Sequence, residues 1–142
     1  MQNYKNHLRL NPAHHFVLIP TTLGLFIWSV VCFFVSDAEL EEKLFWFLAS
    51  FALVLVSMIT RVYALKNQDR LIRLEMRQRY FELTGTSFNS KENQLKLSQI
   101  IALRFASNEE LPALIDLAIK DKLSNKEIKM AITNWQADLL RV

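Results

Sequence analysis

The chain has 142 residues, room for one small domain and simple membrane anchors but not for a large enzyme. Hydrophobic residues make up 51 %, there are only two glycines and the net charge is +3, a combination that disfavours disorder and turn-rich β architectures. The single cysteine, Cys32, excludes an internal disulfide framework and a cysteine-based zinc site, so cofactors and metals are expected to be absent.

In chain order, a tail of residues 1–15 carries Lys5, Arg9 and all three histidines, His7, His14 and His15. Residues 16–36, FVLIPTTLGLFIWSVVCFFVS, contain no Lys, Arg, Asp or Glu. At a rise of about 1.5 Å per residue they cross a hydrocarbon core of about 30 Å. This apolar run exceeds the roughly 7 to 15 residues of a secretory signal, so it reads as a permanent span rather than a cleaved leader.

Residues 37–43 form an acidic turn with Asp37, Glu39, Glu41 and Glu42, and the spacing of Ser36 and Glu39 predicts a capping box that starts the next helix there. Carboxylates at that end also suit the helix dipole. Residues 44–60, LFWFLASFALVLVSMIT, make a second span, somewhat shorter than the usual length of about 20, with Lys43 and Arg61 placed to snorkel outward. Phe45, Trp46, Phe47 and Tyr63 read as interfacial anchors. Lys and Arg accumulate before the first span and after the second, while the connector holds only Lys43. The positive-inside rule then predicts a multi-pass protein of the cell inner membrane with both termini cytoplasmic.

No proline or glycine follows Lys43 until Gly85, so the second helix is expected to continue as a basic stalk over residues 61–84. Lys66, Arg70, Arg73 and Arg77 recur at spacings of 4, 3 and 4 on one face. That stripe is either a solvated, self-paired face or a site for anionic lipid headgroups, each charge being worth about 1 kcal/mol near the surface; nucleic acid is the least favoured partner. Asp69 with Arg73, and Glu75 with Arg79, have the spacing of local helix ion pairs. Leu65, Ile72, Met76 and Leu83, at spacings of 7, 4 and 7, suggest a seam for a homodimer through the stalk, with the C-terminal helices as the competing cover. Leu74 and Phe81 lie on the other flank.

Residues 85–94 read as a polar linker and residues 95–142 as a C-terminal module of three short helices. Their predicted apolar faces are Leu97, Ile100, Ile101 and Phe105; Leu111, Leu114, Ile115 and Ala118; and Ile128, Ala131, Ile132 and Trp135. Ser107 with Glu110, and Ser124 with Glu127, have capping-box spacing. The fold class is thus an all-α membrane protein: a two-helix transmembrane hairpin, a second helix continuing as a cytoplasmic stalk, and a small three-helix module.

No Gly-rich phosphate loop, HExxH pattern or nucleophile motif is recognisable, and no catalytic residue is assigned. The segments QNYKNH with Pro12 and HHF, ALKNQDRLIRLEMRQR, IALRFASNEELPALI and NWQADLLRV together resemble an uncharacterised family, a domain of unknown function, of small bacterial two-span membrane proteins. The resemblance covers nearly the whole chain and implies a bacterial membrane location without an activity. Its pattern points to Gln2, Asn3, Asn6, His7, His15, Gln68, Asp69, Arg70, Arg73, Arg104, Phe105, Glu110, Asn134, Trp135 and Asp138. Of these, His7, His15, Gln68, Asp69, Asn134, Trp135 and Asp138 are expected to converge as a polar cluster under the membrane, satisfying one another. Two functions follow: a non-enzymatic adaptor or scaffold with an unidentified protein partner, and, as the alternative, a small membrane enzyme or lipid-binding protein using His7, His15 and Asp69 at the inner interface.

Overall fold

The structure, a computed structural model, describes residues 11–136. Among them the regular elements are all helical: a π-helical turn Ala13–Leu18 running into α1 (Ile19–Val35), then α2 (Leu40–Thr84), α3 (Asn89–Glu92), α4 (Leu97–Leu103), α5 (Leu111–Lys120) and α6 (Asn125–Ala131). The wide turn has a local cause. Pro20 has no N–H to offer and its ring crowds the preceding turn, and the chain relaxes into longer hydrogen bonds, Ile19 N–H donating to the His14 carbonyl. The segments Ala13–Val35 and Leu40–Thr84 are both long and apolar enough to cross a membrane.

The described residues divide into two compact units, 11–66 and 67–136. In the first, α1 and the early part of α2 bury small polar groups and expose large apolar ones. Thr22, Ser29, Ser50 and Ser57 are buried, whereas Trp28, Phe34 and Val35 are 69, 81 and 77 % exposed. Ser29 and Ser50 share a hydrogen bond across the pair at 2.7 Å. Phe47, expected as an interfacial anchor, packs between the helices, its ring centroid 5.7 Å from that of Phe26 and 6.1 Å from that of Phe33.

The Ser36–Glu39 capping box does not form. Ser36 Oγ accepts from the Ala38 N–H, a local turn that delays the helix, and the Glu39 carbonyl accepts from Lys43 N–H, so α2 begins at Leu40. At its far end Gly85, φ 67°, takes the left-handed conformation that lets its N–H close on the Phe81 carbonyl at 2.8 Å.

The second unit has an ordinary apolar core. Ile72, Met76 and Tyr80 of α2 meet Phe88, Leu95, Ile100, Leu103, Phe105, Leu111, Ile115 and Ile128. All four apolar positions predicted for α5 are buried. The proposed dimer seam is split by this packing: Ile72 and Met76 are covered by their own chain, while Leu65 and Leu83 stay 39 and 37 % exposed. The stretch read as a linker, residues 85–94, carries α3 and gives Phe88 to the core, with Leu95 following directly after it. The last helix is shorter than its periodicity suggests. It stops at Ala131, which is exposed; Ile132 turns to extended backbone, and Trp135 pairs with Ala106 in an isolated antiparallel bridge.

Candidate functional site

In the second unit charged side chains gather in four nodes, into which Arg73, Arg77 and Asn134 of the predicted site residues fall. The first is Glu92, 4 % exposed at the end of α3. A buried carboxylate needs cationic donors, and α2 supplies two on one face: Arg73 Nη1 reaches Oε1 at 2.7 Å and Arg77 Nε reaches Oε2 at 2.5 Å. The hydrogen bond from Arg77, opposed by burial and supported by Arg73, holds the Glu92 carboxyl below the usual range.

The second node is Arg79, whose fork spans the turn after α4. Nη1 donates to the Arg104 carbonyl at 3.1 Å, Nη2 to the Ala106 carbonyl at 2.6 Å and Nε to Asn108 Oδ1 at 2.7 Å. Burial pulls its pKa below the ordinary arginine value. These carbonyls end α4 without a helical partner, and a guanidinium answers them as a C-terminal cap would.

Glu110 is the third. Its Oε1 accepts from Ser107 N–H at 3.1 Å and Asn134 N–H at 3.3 Å; its Oε2 accepts from Thr133 N–H at 3.1 Å and Thr133 Oγ1 at 2.7 Å. Burial pushes its pKa up, but the hydrogen bonds from Thr133, Ser107 and Asn134 outweigh it and leave the carboxyl below its ordinary range. The same bonds explain the early end of α6, because Thr133 and Asn134 N–H groups turned to Glu110 cannot continue a helix. Beside this node Gln136 N–H donates to the Phe105 carbonyl at 2.8 Å, and the Trp135 ring lies 5.2 Å from that of Phe105. In the fourth node Lys91 pairs with Asp116 and stands over the Tyr80 ring at 5.3 Å, its pKa raised first by Asp116 and then by Tyr80.

With this geometry the motifs IALRFASNEELPALI and NWQ are one assembly, joined through Glu110 and the Phe105–Trp135 pair. The chain belongs to DUF6526, a family of unknown function. Its profile matches residues 1–142. No curated protein and no solved structure matches the chain.

The residues of the expected polar cluster are placed as follows. His7 and Asp138 lie outside the described residues. His15 belongs to the first unit, its Nδ1 2.9 Å from the Asn11 carbonyl. Gln68 and Asp69 are half-buried on α2, and Asn134 and Trp135 join the Glu110 and Phe105 assembly. Within the basic stripe Lys66 and Arg70 are exposed, whereas Arg73 and Arg77 are engaged by Glu92. The local helix pairs give way to tertiary ones: Arg73 takes Glu92, Arg79 takes the turn carbonyls, and Glu75 lies 3.6 Å from Arg104 Nη1.

Sequence reasoning missed Glu92, Arg79 and Lys91. Their signal was indirect: an acid set between Phe88 and Leu95 in a stretch that periodicity alone leaves as loop. Among the described residues no three His, Cys, Asp or Glu side chains gather into a metal-holding group. In the first unit a cavity of about 400 Å³ opens between α1 and α2, lined by Trp28, Ser29, Cys32, Trp46 and Ser50, with Glu42 and Lys43 at the connector end.

Proposed function

We propose that the chain is a two-span integral membrane protein of the bacterial inner membrane, acting as a non-enzymatic adaptor that presents a cytoplasmic helical module. The observation that carries this reading is the inverted burial of the first unit, where Thr22, Ser29, Ser50 and Ser57 face inward and Trp28, Phe34 and Val35 face out. In water such a surface is an aggregation liability; in lipid it is the solvated side, and the inward hydroxyls find partners on helices. The four nodes of the second unit support the adaptor half of the reading. Their charged groups hold backbone segments and one another, which is the work of a fold rather than of a reacting centre.

Both termini are assigned to the cytoplasm, and Lys66 and Arg70 are the part of the basic stripe left free of Glu92 to meet anionic headgroups. The cavity lies at the connector end, the external side in this topology, away from His15; it therefore does not favour an enzyme of the inner interface.

A reporter fused after Val142 should read as cytoplasmic and one inserted between Ala38 and Leu40 as external. The reverse pattern contradicts the topology. In-membrane cross-linking followed by affinity capture tests the adaptor role, which falls if neither a partner nor self-association is recovered.

A further inference from the structure

With Ile72 and Met76 buried, a different face of α2 is left without a partner among the described residues. Leu71, Leu74 and Phe81 are each 58 % exposed, and with Gln78 they recur at spacings of 3, 4 and 3, the a and d positions of two heptads. At about 100° per residue, Leu74 and Met76 stand roughly 200° apart around the helix, so this seam looks away from the face that Met76 packs into the core. The described part of the module therefore leaves it open.

We propose that this seam is a docking surface for a second copy of the chain, paired in parallel. The charges beside it choose the occupant. Arg70 and Arg77 precede the two a positions, and Glu75 and Glu82 follow the two d positions. In a parallel dimer the residue before an a position faces the partner's residue five places further on, which sets Arg70 against the partner's Glu75 and Arg77 against the partner's Glu82. Both contacts are complementary, and two-fold symmetry repeats each of them. An antiparallel pair would instead set Arg against Arg and Glu against Glu.

The groups keep this option open. Glu75 has a long contact with Arg104 at 3.6 Å, and Arg77 meets Glu92 through Nε while its side chain stays 47 % exposed. Gln78 Nε2 donates to Glu82 Oε1 at 2.8 Å, which steadies Glu82 along the seam edge. Membrane anchoring, which rests on the proposed function, gives both copies one orientation and confines them to a plane, so a short seam suffices; the charge pattern selects the parallel arrangement independently.

The test uses the full chain in its membranes, in a Cys32→Ser background. Oxidation should cross-link Leu74→Cys between chains several-fold more than Leu83→Cys, which lies on the first seam. The double charge reversal Arg70→Glu with Glu75→Arg should retain that cross-link, and Glu75→Arg alone should reduce it at least several-fold. Because Leu74 and Glu75 are exposed, the variants should keep the helical signal of the parent. Absent cross-linking at Leu74→Cys, stronger cross-linking at Leu83→Cys, or no effect of Glu75→Arg overturns the proposal. Extraction of the chain from the same membranes by alkaline carbonate would contradict the membrane reading separately, whichever cross-links form.

Discussion

The two units obey opposite burial rules although a single helix, α2, contributes to both. Among the described residues, the buried positions of 11–66 are Thr22, Ser29, Ser50 and Ser57; in the second unit they are Ile72, Met76, Phe88 and their apolar neighbours, with charge admitted only as the paired Glu92. Helical propensity is indifferent to surroundings, whereas the inward side chains differ between the two lengths of helix, and under the proposed membrane reading that difference follows from the two solvents. Apolar residues gain by leaving water but gain little by leaving lipid, where packing and hydroxyl hydrogen bonds decide the interface.

Two methionines of the same helix separate the two regions most sharply. Met76 is fully buried and Met58 is 62 % exposed. Met76→Ala should cost the second unit about 2–5 kcal/mol, and Met58→Ala should leave its stability within about 0.5 kcal/mol. Thermal unfolding of the detergent-solubilised chain, followed by hydrogen exchange in α4 and α5, reads both. Equal effects would mean that the two stretches share one environment.

A smaller effect is expected at Glu92. Glu92→Gln keeps the shape but leaves Arg73 and Arg77 facing a neutral amide; since both guanidiniums are partly solvated, the loss should be about 1–2 kcal/mol rather than the larger cost of a fully buried orphan charge. The carboxyl pKa values of Glu92 and Glu110 are both depressed in the fold, so their contribution is complete above the ordinary glutamate value of about 4.3 and is lost as pH falls through the lower folded values. Acid titration of module stability should show that loss in the parent and a shallower one in Glu92→Gln. An unchanged acid limb would remove the ion pairs from the account.

The far end of α2 and the α5 face were legible in the sequence because both depend on local signals: the absence of proline and glycine up to Gly85, and four apolar residues at helical spacing in one ten-residue helix. What escaped depends on partners distant along the chain. Asp69 looks like the natural mate of Arg73 until Glu92, nineteen residues on, is brought inside by the collapse of Phe88 and Leu95 onto Tyr80 and Met76. Trp135 fits the periodicity of α6, but Glu110 diverts Thr133 and Asn134 before the helix can reach it. The basic stripe was visible as a stripe; that half of it is spent on one buried carboxylate was not.

The smallest expected effect concerns the hairpin. Ser29→Ala or Ser50→Ala removes one hydroxyl contact between α1 and α2, and because each serine also bonds a carbonyl of its own helix, the cost should be about 0.6 kcal/mol. Steric trapping or a comparable measurement in bilayers checks it. A loss several times larger would give the pair a weight that the comparison with the apolar core denies.

The central claim, that α2 passes from lipid to water along its own length, is tested most directly by cysteine accessibility in intact membranes lacking Cys32. Val56→Cys and Glu82→Cys are both exposed positions of this helix. A water-soluble maleimide should leave Val56→Cys unlabelled under all conditions, and should label Glu82→Cys only once the inner face is opened. Labelling of Val56→Cys to the same extent as Glu82→Cys, or of Glu82→Cys from the outside, would contradict the account.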